Sequence, residues 1–340
     1  MIDKHVIRRR ILELIDSDGR GVARRLSEEV GLSRQAVHVH LRAMEHDGSI
    51  LAEGRTQART YRLATTHLET KRYVTAGLDE HVVWREVFAP AVADLPENVR
   101  DIWSYGVTEM VNNAIDHSES ETVLVGVRRN ALFTVGFVAD QGVGIFLKIQ
   151  KALGLYDPRE AILELAKGKL TTDPKSHTGE GVFFTSKAFE HYDIRSGSLL
   201  FLHDPELVDD FLIERTGGEP GTVVVMRLAN DSQRLLKTLF DEFSDPEEYT
   251  FSKTVVPVRL AQYEGEKLVS RSQARRLTLR FERFRNVVLD FEGVAEIGQA
   301  FADELFRVFA LAHPATLLAP LNMTQAVREM VDRARGAAGS

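Results

Sequence analysis

The sequence predicts an α+β fold divided among several domains. Its 340 residues are too many for one typical hydrophobic core, so we expect two or three domains. The apolar spacing is helical near the N terminus and strand-like in the middle, and strands alternate with helices near the C terminus. These patterns divide the chain into residues 1–63, 64–100, 101–230 and 245–335.

The composition excludes several classes of protein. With 44% hydrophobic and 27% charged residues, the chain has the composition of a globular protein. It has no cysteine, which excludes disulfides and cysteine-ligated metal sites. The start "MIDKHVIRRRILELI" lacks the apolar run of a signal peptide, and no charge-free stretch is long enough to cross a bilayer. We therefore expect a cytoplasmic protein without a membrane partner.

The charge is unevenly distributed. The whole chain carries −7, whereas residues 1–63 hold twelve Lys or Arg against nine Asp or Glu, a net of +3. The remainder therefore carries about −10. Nucleic-acid contacts are expected within the first region.

Three helices are predicted at the start of the chain. The first, in "HVIRRRILELIDSDG", ends at Gly19. The second ends at Val30, and Ser33 has the residue type that caps a third. The apolar residues predicted to face inward are Val6, Ile7, Ile11, Leu14 and Ile15 in the first helix and Val37, Leu41 and Met44 in the third.

The segment "ILAEGRTQARTYRL" predicts two strands around a basic loop at Gly54. With the three helices, this order of elements resembles the winged helix-turn-helix family across residues 1–63. The resemblance implies that the third helix enters the major groove of double-stranded DNA. The side chains it implies as DNA contacts are Arg34, Gln35, His38 and Arg42 on that helix, and Arg55 and Arg59 on the wing. The alternative is a winged domain used only for protein contacts.

Residues 64–100 are predicted to form a linker with helical character that contains Pro90 and Pro96. His81 lies in this stretch, but its surroundings lack the pattern of a phosphoacceptor box. We expect it to be a surface or packing histidine.

The middle region places polar residues at unusual positions. In "TEMVNNAIDHSES", Glu109 and Asn113 are four residues apart and therefore share one face of a helix. The next stretch, "TVLVGVRRNALFTVGFVADQGVGIF", predicts two strands, the second of which ends in Asp140 and a glycine loop. The segments "HTGEG" and "GTVVVM" follow later.

These four segments, in this order, resemble the GHKL ATP-binding fold over about Trp103 to Leu228. Gyrase, heat-shock chaperones, histidine kinases, MutL and anti-sigma serine kinases share that fold, an α/β sandwich. The resemblance implies ATP and Mg²⁺ as cofactors, with Asn113 as the metal ligand and Glu109 as the general base. The further cofactor-binding residues it implies are Asp140 at the adenine, Gly142 and Gly144 in the loop, Gly179 and Gly181 at the phosphates, and Thr222 near the adenine.

In this interpretation the helical stretch Lys148 to Leu170 and the polar loop to His177 form a moving lid over the nucleotide. The chain departs from histidine kinases, because its glycine segment reads "GEGVFFT" and it has no acceptor-histidine helix. Histidine autophosphorylation is therefore not expected. ATP hydrolysis and serine or threonine phosphorylation remain open.

The last region, residues 245–335, predicts alternating strands and helices with a partly parallel sheet. From about Val269 to Arg335 it resembles the STAS-like domains found beside GHKL modules in bacterial regulators. Where related domains carry a phosphorylatable serine, this chain has no hydroxyl in residues 298–301. Two interpretations remain open: a docking or dimerisation surface for a protein partner, and a structural extension of the ATP-binding sheet. Asp303 and Glu304 are expected on a solvated helix face.

The sequence thus favours a transcription regulator whose winged helix is controlled by Mg-ATP. The alternative is an ATPase or serine/threonine kinase that acts on a partner protein, with the winged domain as a docking element. A third hypothesis is a nucleotide-driven DNA clamp. Whether two copies pair as a homodimer is left open.

Overall fold

The computed structural model describes residues 3–55, 59–170, 179–204, 209–214, 217–245, 250–262 and 266–336. Within these residues, helices and strands surround three hydrophobic cores, which lie mainly in the N-terminal, central and C-terminal parts of the chain. The α+β fold class is therefore confirmed, with a helical N-terminal domain, a central β-sheet domain and a small α/β C-terminal domain.

The N-terminal domain has three helices and a two-stranded antiparallel sheet. Its elements are α1 (Lys4–Ser17), α2 (Val22–Val30), α3 (Arg34–His46), β1 (Ile50–Glu53) and β2 (Thr60–Leu63). Ser33 caps α3, because its Oγ accepts a hydrogen bond from the backbone amide of Ala36 at 3.2 Å. The predicted inward side chains are buried, with one exception: Val6 is 59% exposed, and Leu12 lies in the core instead.

The prediction of a helical linker is wrong for part of residues 64–100. Strand β3 (His67–Val74) pairs antiparallel with β4 (Thr122–Arg129) along its whole length. It is an edge strand with mostly exposed side chains, so its sequence lacks the apolar alternation of a half-buried strand. The helical pieces that follow are α4 (Glu80–Val83), a π-helical turn (Trp84–Phe88) and α5 (Ala89–Val92), and they contribute to the central core.

In the described part of the chain, the central sheet has seven antiparallel strands in the order β3-β4-β5-β9-β6-β7-β8. Its remaining strands are β5 (Phe133–Asp140), β6 (His191–Ser196), β7 (Leu199–Asp204), β8 (Asp209–Glu214) and β9 (Thr222–Ala229). The helices of this domain are α6 (Glu97–His117), α7 (Ile145–Leu153), α8 (Glu160–Lys167) and α9 (Gly181–Ala188). Helix α6 packs on the sheet through the fully buried Trp103.

The C-terminal domain has a separate sheet of three parallel strands. Its elements are β10 (Lys253–Pro257), α11 (Arg271–Thr278), β11 (Asn286–Asp290), α12 (Gln299–Asp303), α13 (Ala310–Ala312), β12 (Leu317–Leu321) and α14 (Gln325–Gly336), and α10 (Leu236–Phe243) precedes them. Because its strands do not pair with the central sheet, the domain is not an extension of that sheet. It meets the central domain through α8 and α9.

The expectation of a solvated helix face at Asp303 and Glu304 is wrong. Glu304 is only 6% exposed, and it accepts a hydrogen bond from Arg275 Nε at 2.7 Å. Asp303 pairs with Arg307 one turn later. The helical spacing of charges did not reveal that α11 packs against this face.

The N-terminal and central domains share a core. Leu132 and Phe133, at the turn between β4 and β5, are buried among the side chains of the N-terminal domain. Arg227 of β9 lies over the Phe133 ring at 3.8 Å and pairs with Asp16 at 3.1 Å. The turn therefore fixes the N-terminal domain to one end of the central sheet.

Candidate functional site

A cavity of about 290 Å³ lies in the central domain between α6, the sheet, α7 and α9. It brings together most of the residues that the sequence singled out in this region. The predicted residues that line it are Glu109, Asn113, Asp140, Gly144, Gly179, Gly181 and Thr222. Of the predicted lid, residues 171–178 lie outside the described part of the chain.

Asp140 lies at the end of β5 and is only 9% exposed. Its Oδ1 accepts hydrogen bonds from the backbone amides of Gly142 at 2.9 Å and Thr222 at 3.2 Å. Burial raises the pKa of the carboxyl group, while the two amide hydrogen bonds act in the opposite direction. Its second oxygen, Oδ2, makes no hydrogen bond to any described residue and is available to a ligand.

Gly142 is not among the residues that line the cavity. A Cβ atom at this position would lie 1.8 Å from the carbonyl oxygen of Ser118, so only glycine fits there. The next residue, Val143, donates its amide to the same carbonyl at 2.9 Å. Gly142 therefore holds the loop against the end of α6 and orients Asp140.

Glu109 and Asn113 lie on the cavity face of α6, one turn apart, as their spacing predicts. The Asn113 side chain makes no hydrogen bond to the described residues, although its Nδ2 is shielded from solvent. An unpaired buried amide carries a desolvation cost unless a ligand or water satisfies it. This part of the cavity therefore offers the Asn113 carboxamide, with unused hydrogen-bonding capacity, beside the Glu109 carboxylate.

Gly181, the first residue of α9, lies against Glu109. A Cβ atom at position 181 would come within 1.9 Å of Glu109 Oε2. Burial raises the pKa of the nearby Tyr105, and the charges of Glu109 and Glu180 raise it further.

Gly144 caps the N terminus of α7 with a φ of 84°, a conformation that strongly favours glycine. The Thr222 hydroxyl accepts the backbone amide of Ile145 at 3.0 Å, which ties α7 to β9. The backbone amide of Leu170 donates a hydrogen bond to the carbonyl oxygen of Gly179 at 2.9 Å. The Gly144 cap and these two hydrogen bonds set the rim of the cavity.

Lys148 also lines the cavity and is missing from the predicted site residues. Its Nζ donates to the carbonyl of His117 at 2.6 Å and to Glu119 at 3.0 Å. It lies four residues after Gly144 on α7, so it faces the same side of the helix as the loop. That spacing is the sequence signal that would have revealed it.

The cavity is lined by both polar and apolar side chains. Met110, Ile149 and Val224 are among the apolar residues of its walls, and a flat aromatic group fits such walls. Asp140 would accept hydrogen bonds from such a group, while the side-chain oxygens of Glu109 and Asn113 suit a hard cation. The arrangement is therefore suited to a ligand with a planar head and an anionic, metal-bound tail.

A second candidate site is the exposed face of α3. The four side chains predicted for DNA contact, Arg34, Gln35, His38 and Arg42, are all exposed on this helix. Val39, which no sequence pattern singled out, is 66% exposed on α3. An exposed apolar side chain beside arginines suits contact with a thymine methyl group.

The predicted wing arginines differ in their surroundings. Arg55 is exposed next to residues 56–58, which lie outside the described residues. Arg59 instead pairs with Glu45 of α3 and lies over the Tyr61 ring at 5.5 Å. Arg59 therefore also fixes the wing to α3, and a phosphate would compete with Glu45 for its guanidinium group.

Two parts of the chain match known families. Residues 5–50 match the family described as winged helix-turn-helix DNA-binding, and residues 273–328 match the STAS-like domain of unknown function (DUF4325). No curated protein matches the chain. Within the described residues, no helix combines the length and the apolar character needed to span a membrane. The N-terminal domain is thus a winged helix-turn-helix domain, a type that suggests a transcription regulator, and the C-terminal domain is STAS-like.

Proposed function

We propose that the chain is a transcription regulator in which a GHKL-type central domain binds Mg-ATP and thereby controls DNA binding by the winged helix. One observation carries the proposal: Asp140 and the Glu109–Asn113 pair, which are distant in sequence, line a single cavity. The nucleotide-binding domain would include residues 101–230 together with β3 and the helices after it.

At the base end, Asp140 would select adenine. Its Oδ1 is occupied by two backbone amides, so Oδ2 remains to accept a hydrogen bond from the exocyclic amino group. The Thr222 hydroxyl, which accepts from Ile145, still has a proton to donate to a ring nitrogen. A carboxylate acceptor favours adenine over guanine, which presents a carbonyl oxygen at that position.

At the phosphate end, Asn113 would supply a neutral oxygen ligand to Mg²⁺ without repelling the phosphates. The orphaned Asn113 amide fits a ligand close to α6. The backbone amides at Gly179 and Gly181 and the Lys148 ammonium group would hold phosphate oxygens. Bound Mg-ATP would bring a γ-phosphoryl group that is open to attack by water or a hydroxyl.

Strand β5 offers a physical route from the cavity to the DNA-binding domain. It begins at Phe133, which is buried in the core of the winged helix, and ends at Asp140 in the cavity. A shift of Asp140 on nucleotide binding would therefore be carried along one strand to the winged helix. Such control requires that ATP bind two conformations with different affinity.

The alternative function is an ATPase or serine/threonine kinase that acts on a partner protein. The position of Glu109 at the cavity favours it, because a carboxylate there can accept a proton from water or from a hydroxyl group. The STAS-like domain would then dock the partner protein. Pairing of two chains through the same domain is a further part of this alternative.

Calorimetric titration of Mg-ATP into wild type and Asn113→Ala tests the proposed site. We expect saturable binding in wild type and a loss of at least about tenfold in affinity in the variant. His81→Ala, a change of an exposed side chain remote from the cavity, is the control and should bind like wild type. Absence of Mg-ATP binding in wild type would contradict the proposal.

A phosphate-release assay on wild type and Glu109→Gln distinguishes the two functions. Glutamine keeps the shape of the side chain but cannot act as a base. In a regulator that only binds ATP, neither protein releases phosphate, and both bind ATP. In an ATPase, wild type turns over and the variant loses about 10²–10⁴-fold in rate.

A further inference from the structure

Helix α8 is a wall shared by the cavity and the STAS-like domain. Leu165 lines the cavity, whereas Leu163 belongs to the core of the STAS-like domain. Every residue from Ala161 to Lys167 is buried. A helix enclosed in this way differs from the moving lid predicted from the sequence.

Two basic side chains join the C-terminal ends of α8 and α11. Lys167, on α8, donates from Nζ to the carbonyl of Leu279, just after α11, at 2.9 Å. In return, Arg280 donates from Nη2 to the carbonyls of Gly168 and Lys169, just after α8. Each helix end is thus capped by a cation from the other domain, where the helix dipole favours positive charge.

Glu164 completes this junction. It pairs with Lys167 within α8, and Arg280 Nη1 donates to its Oε2 at 2.9 Å. The exposed fractions of Glu164, Lys167 and Arg280 are 1%, 0% and 5%. Removing one member would leave a buried charge without its partner. Arg280 also has a φ of 67°, an unfavourable conformation for a residue with a side chain, which points to a functional constraint.

The junction lies next to the cavity rim. Arg280 holds the carbonyls of residues 168 and 169, and the next residue, Leu170, lines the cavity and pairs with Gly179. Helix α9 is held by aromatic packing. Two residues after Gly181, the Phe183 ring packs on Phe243 and Phe251 at ring distances of 5.0 and 4.8 Å. Both of these cavity walls, α8 and α9, are therefore in contact with the STAS-like domain.

We propose that Arg280 is a positioning residue of the nucleotide cavity, through which occupancy of the cavity and docking of the STAS-like domain are coupled. The inference rests on the proposed function, because it names the regulation of the same site. By linkage, a STAS-like domain that stabilises the bound arrangement of α8 raises the affinity for Mg-ATP, and Mg-ATP in turn tightens the docking of the domain.

The test compares full-length wild type, Arg280→Met, Arg280→Lys and Arg307→Met by calorimetry with Mg-ATP and by hydrogen exchange with mass spectrometry. Methionine removes the contacts to Glu164 and to the two carbonyls, whereas lysine keeps the charge with fewer donors. Arg307→Met is the matched control, because Arg307 pairs with Asp303 inside the STAS-like domain, away from α8.

We expect about tenfold weaker Mg-ATP binding in Arg280→Met, an intermediate loss in Arg280→Lys and wild-type affinity in Arg307→Met. In wild type, saturating Mg-ATP should slow amide exchange in residues 271–283, and Arg280→Lys should reduce that protection. The protection measured in wild type needs no variant, so it tests the coupling even where Arg280→Met does not fold, and Arg280→Lys then tests the role of Arg280.

Two negative outcomes are distinct. If wild type does not bind Mg-ATP, the proposed function and the coupling both fail. If wild type binds Mg-ATP but exchange in residues 271–283 is unchanged and the affinities of the Arg280 variants equal that of wild type, only the coupling is overturned.

Discussion

Ionisation of the buried Asp140 carboxyl group costs the folded protein stability. Because burial raises its pKa, the folded state binds the proton more tightly than the unfolded state does. The contribution of this group to stability therefore falls as pH rises from the ordinary value of 3.8 through the folded pKa. A carboxylate that costs stability at neutral pH is expected where binding requires it.

Asp140→Asn should separate binding from stability. The amide oxygen of asparagine can still accept from Gly142 and Thr222, but its NH₂ group then faces the cavity and repels an amino group. We expect Mg-ATP affinity to fall by at least about tenfold while the free energy of unfolding stays equal or rises at neutral pH. Calorimetry and urea unfolding measure the two quantities, and the gain in stability should disappear as pH approaches 4.

A matched control for this variant is Asp193→Asn. Asp193 is also buried, but it pairs with Arg195 and His191 on β6. Its substitution should lower stability and leave Mg-ATP affinity unchanged. A destabilised Asp140→Asn that retains wild-type affinity would contradict the role given to Asp140.

The lowered pKa of Lys167 predicts that the protein becomes more stable at alkaline pH. Burial lowers its pKa from 10.5 to about 8, so between these values the unfolded state binds a proton that the folded state has lost. Stability should therefore increase from pH 8 to pH 10.5, by at most about 1.4 kcal/mol per pH unit. Urea unfolding of wild type and Lys167→Met across this range isolates the effect, because methionine does not titrate. A difference between the two proteins that is independent of pH would contradict it.

At the scale of elements, we expect the two exposed arginines of α3 to contribute to DNA affinity, whereas cations elsewhere on the surface should not. Arg34→Ala and Arg42→Ala should each weaken DNA binding by about 1–3 kcal/mol if they contact bases. If an arginine contacts only phosphate, its replacement should instead reduce the slope of log DNA affinity against log salt concentration by about one. Fluorescence anisotropy with a duplex selected by the protein from a random pool measures both.

Lys237→Ala is the control for these variants, because Lys237 is an exposed cation on α10, outside the winged helix. It should bind DNA like wild type. Equal affinity for DNA in all four proteins would support the alternative that the winged domain makes only protein contacts.

The sequence predicted those elements whose signals are local. Ser33 caps α3 through its own neighbours, and Val37 and Leu41 are buried because their helical spacing matches one face. The paired positions of Glu109 and Asn113 follow from the same spacing. Local rules were also sufficient to bring Asp140 to the end of a strand.

Features that depend on contacts distant in sequence were missed. Strand β3 is polar because it lies at a sheet edge, and only its pairing with β4 makes it a strand. Glu164 and Lys167 have the spacing of an ordinary helical ion pair. The sequence pattern does not show that Arg280, far along the chain, pairs with Glu164 in a buried junction. The role of Gly142 likewise depends on the carbonyl of Ser118.

At the scale of the whole molecule, the two outer domains contact the central domain on different elements. The winged helix holds the turn before β5, and the STAS-like domain holds α8 and α9. The cavity lies between these contacts, so a change in its shape can reach both domains.

Phe133→Ala should uncouple the winged helix from the cavity. The truncation removes a ring that is 7% exposed and that Arg227 covers, at a cost of about 3–5 kcal/mol in unfolding free energy. We expect Mg-ATP affinity to persist while DNA affinity no longer responds to Mg-ATP. Phe291→Ala, in the core of the STAS-like domain, is a control of similar size. A Phe133→Ala protein with the full response would contradict this route.

The measurement that tests the central claim most directly is DNA affinity of the full-length protein with and without saturating Mg-ATP, using the selected duplex and Asn113→Ala as the reference. We predict that Mg-ATP changes the affinity of wild type by about tenfold or more, equivalent to about 1.4 kcal/mol, and leaves Asn113→Ala unchanged. The same DNA affinity for wild type in both conditions, at a nucleotide concentration that saturates the cavity, would contradict control by ATP.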